Sequence, residues 1–208
     1  MKVPYWTTED FEVFTIEGLE NRMEALQTRI QPKFHALGRH FADRLSAEGM
    51  DEFFPHVAKH ARRTVNPPSD SWVAVAPSKR GYKALPHFQI GLWESHLFII
   101  VAVIYENPDK KGIAERLMAH EKEVFALPSD YIISGDHMKP DVEDITEEGL
   151  NHLLTRLQDV KKAEFLVGRH VTKKDAAAMS EEEFYQFAEE TFDQLLPIYH
   201  IICNKTTQ

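Results

Sequence analysis

Two strand-like runs, His87–Trp93 and His96–Tyr105, stand only Glu94-Ser95 apart, and this constrains the fold more than any other feature of the 208-residue chain. Two residues are too few for a crossover connection, so the runs predict an antiparallel hairpin, although the turn lacks the usual Asn-Gly or Asp-Gly. The register follows: Trp93 faces His96, and Gln89 faces Ile100. One face carries His87, Gln89, Gly91, Trp93, His96, Phe98 and Ile100; the other carries Phe88, Ile90, Leu92, Leu97, Ile99, Val101 and Val103. The second run is apolar on both sides over most of its length, which predicts a central strand covered on both faces.

The rest of the chain supplies partners for that hairpin. Trp72–Ala76, ending at Pro77, Tyr131–Ser134 and Glu164–Val171 read as further strands. Thr7 or Thr8 caps a short helical turn. Leu19, Met23, Leu26 and Ile30, then Leu37, Phe41 and Leu45, recur at helical spacing. Pro32 should split or kink that helix, because it removes an amide donor. Gly49 reads as its stop, and Met50–Arg63 as a second helix. Asn107 opens another helix that Pro128 ends, and Thr146 begins one with Leu150, Leu153, Leu154 and Leu157 inward. Ser180 with Glu183 forms a capping box before a helix through Phe184, Phe187 and Tyr199, with a possible kink at Pro197. These elements indicate one domain over residues 1–208, of the α+β type: a mixed or antiparallel sheet packed by helices. No Gly-rich strand-to-helix turn suggests a doubly wound nucleotide fold.

Composition narrows the function classes. A net charge of −9 argues against a general nucleic-acid or anionic-membrane binder. The longest apolar run, Leu97–Tyr105, is far short of the roughly 20 residues that span a bilayer. The opening MKVPYWTTEDF lacks the pattern of a secretory signal, and the single Cys203 suits a reducing compartment; both point to the cytoplasm. Yet His56–Trp93 holds six cations and one anion, so it carries +5 and leaves −14 for the rest.

That basic segment is the place to expect a site. Lys79, Arg80, Tyr82 and Lys83 flank Gly81 and feed a strand bearing His87, Gln89 and Trp93 on one face; Arg169 or His170, but not both, can join from the same sheet. Such a set offers charge, stacking and hydrogen bonds to a small anionic or amphipathic ligand. Other candidates are weaker. His56 and His60 stand four apart on the expected helix, but Val57 occupies the position of the zinc-protease glutamate, and no metal site is expected. Asp136 and His137 are neighbours whose side chains point apart in extended chain, so GDHMKP reads as a turn. Cys203 reads as a small buried hydrophobe. The Walker lysine pattern, the serine nucleophile elbow, the dinucleotide glycines and paired zinc cysteines are all missing. The leading expectation is a binding protein for a small anionic or amphipathic molecule. An RNA- or protein-interaction module stands behind it, and after that a hydrolase or transferase assembled from distant His, Asp and Glu residues.

Two segments add a resemblance. FTIEGLENRMEALQTRIQPKF and SWVAVAPSKRGYKALPHFQIGLWESHLFIIVAVIYE resemble the YktB-like family of uncharacterised proteins from Gram-positive bacteria, and the similarity runs nearly end to end. The resemblance implies a curved, largely antiparallel sheet packed against long helices, related to the TATA-binding-protein-like folds. It brings no activity, cofactor or catalytic residue. Folds of that shape often hold ligands between sheet and long helix, although Phe184, Phe187 and Tyr199 there read first as plain core.

Overall fold

The computed structural model describes residues 5–48 and 51–205. The chain opens with α1 (Thr8–Glu12), where Thr7 N–H donates to Asp10 Oδ2 at 2.8 Å, followed by a 3₁₀ turn over Val13–Thr15. Then come α2 (Leu19–Ala25), a π-helical turn over Leu26–Ile30, and α3 (Gln31–Ala47). The wide turn falls just ahead of Pro32, whose missing N–H cannot join the ordinary helical ladder. Gly49 and Met50, read as a helix stop and a helix start, lie outside the described residues.

Where a helix over Met50–Arg63 was expected, the described residues form β1 (Phe54–Val57) and a turn in which His60 has φ 49°. Pro55 explains the difference: it disfavours a helix interior and is tolerated on an edge strand. Next are β2 (Asp70–Ala76), β3 (His87–Trp93) and β4 (His96–Val103). The second half holds α4 (Lys110–Ala119), α5 (Glu121–Phe125), β5 (Tyr131–Ser134), β6 (Glu143–Asp144), α6 (Glu147–Asp159), β7 (Phe165–Thr172), α7 (Lys173–Ala178) and α8 (Glu181–Ile202). The expected single helix after Asn107 is broken at His120. Thr146 caps α6 and the Ser180–Glu183 box caps α8, as their sequences predict; α8 runs on through Pro197.

Seven strands make one open sheet in the order β1-β2-β3-β4-β7-β5-β6, with every pairing among the described residues antiparallel. The hairpin register is the predicted one, Gln89 opposite Ile100 and Gly91 opposite Phe98, and β4 is the central strand, buried along its whole length. The fold is α+β.

The two sheet faces differ, and the difference positions the sites. Phe88, Ile90, Leu92, Leu97, Ile99, Val101 and Val103 join the helices in the large core. There α3 lies on β1 and β2, and α8 on β4 and β7. Gly38 lets α3 settle closely: a β-carbon on it would stand 2.7 Å from Pro55 Cβ and 2.8 Å from Val73 Cγ2. Phe184 and Tyr199 are fully buried core, as read from the sequence. The opposite face carries a smaller cluster, all but Ile104 from strands: Phe98, Ile100, Ala102, Ile104 and Leu166, with Trp72 and Trp93 against it. The connections after β2 and after β5, rather than helices, run beside this second face.

Candidate functional site

The loop after β2 builds a cleft of about 920 Å³ with β1 and the start of α3. Its lining includes Lys59, Arg80 and Lys83, the imidazoles of His35 and His56, and Tyr82, and contains no carboxylate. Lys59, Arg80 and Lys83 are all exposed. Lys83 reaches Glu106 at 3.3 Å, whereas no acid stands within ion-pair distance of Arg80 or Lys59 among the described residues. Tyr82 is anchored from below: Trp72 Nε1 donates to its hydroxyl at 3.0 Å, and its ring packs edge-on to His87 with centroids 4.7 Å apart. Because that hydroxyl accepts from Trp72, its own proton remains available to an acceptor in the cleft. Gly81 leaves open space where a side chain would stand.

Of the residues singled out in the sequence, this cleft gathers Arg80, Tyr82 and Lys83. Lys79 turns away, its ammonium 4.9 Å from the Phe54 ring centroid. His87 and Gln89 are buried beneath and satisfy each other, with Nε2 and Nε2 2.8 Å apart, while His87 Nδ1 meets Leu85 O at 2.7 Å. Burial pushes the His87 imidazole down to about 4, so it stays neutral. Gln89 and Trp93 line a separate, narrow cavity of about 30 Å³ under residues 134–142, with Phe98, Leu166 and His170. Arg169 is not brought to either place. It stands opposite Ile99 on the helix-covered face, lies 4.0 Å from the Phe187 centroid and ion-pairs with Asp130. Lys59, His35 and His56 are the lining residues that sequence reasoning missed, since they arrive from β1, its turn and α3.

His56 and His60 do not form the helical pair envisaged. His56 Nε2 lies 2.7 Å from Ser78 O and His60 Nε2 lies 3.1 Å from Ser71 Oγ, each held by its own partner.

A second constellation was invisible in sequence. Asp136 and His137 were expected to point apart, yet with Glu164 they bring ligand atoms to within 4.8 Å of one another. Residues 136–139 do form the turn expected of GDHMKP, closed by Lys139 N–H to Asp136 O at 3.3 Å, and in a turn the alternation of extended chain no longer keeps neighbouring side chains apart. Glu164, 3% exposed just ahead of β7, accepts from His137 Nδ1 at 2.7 Å, His137 N–H at 2.8 Å and Tyr105 N–H at 3.2 Å. Burial pulls the His137 imidazole down, but Glu164, Asp70 and Asp136 together outweigh it and raise the pKa. The group borders a cleft of about 500 Å³ that Asp141, Glu143, His152, Arg156 and Lys162 also line.

No helix among the described residues is long and apolar enough to cross a membrane.

Residues 6–199 match a protein family described as a domain of unknown function, DUF1054. A UPF0637 protein of Lysinibacillus sphaericus is 58% identical over 96% of both chains. One from Oceanobacillus iheyensis is 50% identical over 94% of this chain and 95% of its own, and one from Staphylococcus aureus 47% identical over 92% and 95%. Matches of this length and identity place the chain in the family to which its two quoted segments pointed: it is a member of the DUF1054 family.

Proposed function

We propose that the protein binds a small anionic molecule, carrying phosphate or carboxylate groups, in the cleft between the loop after β2, β1 and α3. One observation carries this reading. In a chain of net charge −9, the cleft lining holds three cations and two imidazoles and no acid. Such a surface concentrates anions from solution, and guanidinium with ammonium supplies the charge-assisted hydrogen bonds that hold them. Arg80 gives a planar fork for two anionic oxygens, Lys59 and Lys83 give point charges, and the Tyr82 hydroxyl gives a neutral donor.

The test is thermal unfolding against inorganic pyrophosphate, citrate, nucleoside phosphates, fatty acids and a short RNA. A ligand at a hundredfold its Kd adds about 2.7 kcal/mol and raises the Tm by several degrees. Stabilisation by an anionic class, lost in Arg80→Ala and in Lys59→Ala, is the expected result. An anion whose affinity both variants leave unchanged sinks the assignment. Binding confined to the RNA, weakening steeply with salt, makes the cleft a nucleic-acid footprint instead.

A further inference from the structure

We infer that Asp136, His137 and Glu164 form a binding site for one divalent transition-metal ion, separate from the basic cleft. The three residues bring a carboxylate oxygen, an imidazole nitrogen and a second carboxylate oxygen within 4.8 Å of one another. Metal–nitrogen and metal–oxygen bonds of about 2.0–2.2 Å place the donors of one ion roughly 3 Å apart. His137 Nδ1 and Glu164 Oε2, at 2.7 Å, already stand at that separation, with a proton between them. An ion entering there takes the place of that proton, which leaves to solvent. The ligands are ordered beforehand: Glu164 is buried and fixed by the Tyr105 and His137 amides, and the turn at 136–139 fixes Asp136 beside it.

Lys139 reaches Asp136 only at 3.6 Å, with the lysine side chain largely exposed. A buried carboxylate such as Glu164 is costly unless it is paired, and a dication beside it supplies twice the charge of an imidazolium.

The donor set selects the ion. One imidazole with two carboxylates suits zinc or manganese rather than the soft ions that thiolates hold. Three protein ligands at the edge of a 500 Å³ cleft leave a coordination position for water.

The experiment is titration of the chelator-treated full chain with Zn²⁺ by calorimetry, and with Co²⁺ by visible absorption. We expect one ion per chain, with d–d bands that report nitrogen and oxygen ligands. His137→Ala should weaken Zn²⁺ at least a hundredfold. Asp136→Asn, at a half-buried position that leaves the Glu164 hydrogen bonds intact, should weaken it at least tenfold while the Tm of the apo protein stays put. No ion bound at tens of micromolar Zn²⁺ overturns the site. So does an ion that Asp136→Asn and His137→Ala hold as tightly as the native chain.

Discussion

The imidazoles of His96 and His170 lie face to face on the helix-free side of the β4–β7 ladder, centroids 4.1 Å apart and planes 25° from parallel. His96 Nδ1 meets Ser95 Oγ at 2.8 Å, its Nε2 is buried without a hydrogen-bond partner among the described residues, and Trp93 and Phe98 stand beside the pair. Burial lowers His96 to about 4; burial and the neighbouring His96 lower His170 to about 3. Two stacked rings with no acid facing them among the described residues do not both carry charge near neutral pH.

An acid-sensitivity prediction rests on that pair. Both pKa values fall in the folded state, so the unfolded chain takes up protons first as the pH drops below about 6.5, its ordinary histidine value. The stability is therefore present above pH 6.5 and is lost as the pH falls toward 4. The slope is at most roughly 1.4 kcal/mol per pH unit for each histidine. Urea unfolding at pH 7, 6, 5 and 4 should show it, and His170→Asn should flatten the slope. A native slope retained in full by that variant removes the pair as its source.

Glu164 predicts a second outcome. Its carboxylate ties the turn at 136–139 to the start of β7 through two hydrogen bonds from His137 and one from Tyr105. Glu164→Ala leaves those donors facing an emptied, desolvated space, which costs about 2–4 kcal/mol. In metal-free buffer the variant should unfold at lower urea and be cut faster within residues 134–142 by a broad protease. Equal cutting rates for the two proteins exclude the clamp.

Gly38 predicts a third. An added methyl would meet Pro55 Cβ and Val73 Cγ2, atoms held close to their backbones in β1 and β2. Although alanine is the better helix former by about 1 kcal/mol, overpacking of this kind costs about 1–3 kcal/mol. Gly38→Ala should therefore destabilise on balance, and Val73→Ala in the same chain should recover part of the loss. A Gly38→Ala protein more stable than the native one means that α3 can shift off the sheet without penalty.

The parts of this fold legible in sequence are those where local pattern and tertiary demand agree. The hairpin register could be read because period-two alternation, a two-residue turn and a doubly apolar second strand all give one pairing, although the second strand ends at Val103 rather than Tyr105. β1 could not. It is an edge strand whose pairing with β2 is a tertiary fact, and its sequence was read as helical despite Pro55. β6, two residues long, has no period to detect. The same division runs through the sites. Arg80, Tyr82 and Lys83 are neighbours in one polar loop, so the chain itself brings them together. Lys59 and His35 join them only because β1 packs beside that loop and under α3. Glu164 stands 27 residues from His137 with a helix between, and only the β5–β7 pairing unites them. Arg169 illustrates the cost of one residue's parity: β7 pairs with β4 so that His170, opposite Phe98, takes the helix-free face and Arg169 takes the other.

Lys79 and Arg80 separate field from contact in the proposed cleft. They are adjacent cations on one loop, so reversing either alters the net charge equally and changes the long-range field almost alike. Only Arg80 lines the cleft; Lys79 lies over the Phe54 ring outside it. Lost contact should therefore appear in Arg80→Glu alone, whereas lost steering should appear in both variants and fade as salt screens it over about 8–10 Å. With inorganic pyrophosphate as the probe, Arg80→Glu should weaken binding at least tenfold at 0.15 M salt, and Lys79→Glu by about threefold or less. Raising the salt to 0.5 M should close the Lys79→Glu gap and leave most of the Arg80→Glu loss. Equal losses in the two variants at both salt concentrations would mean that the anion feels the basic strip as a whole, and the contact assigned to the Arg80 guanidinium would be withdrawn.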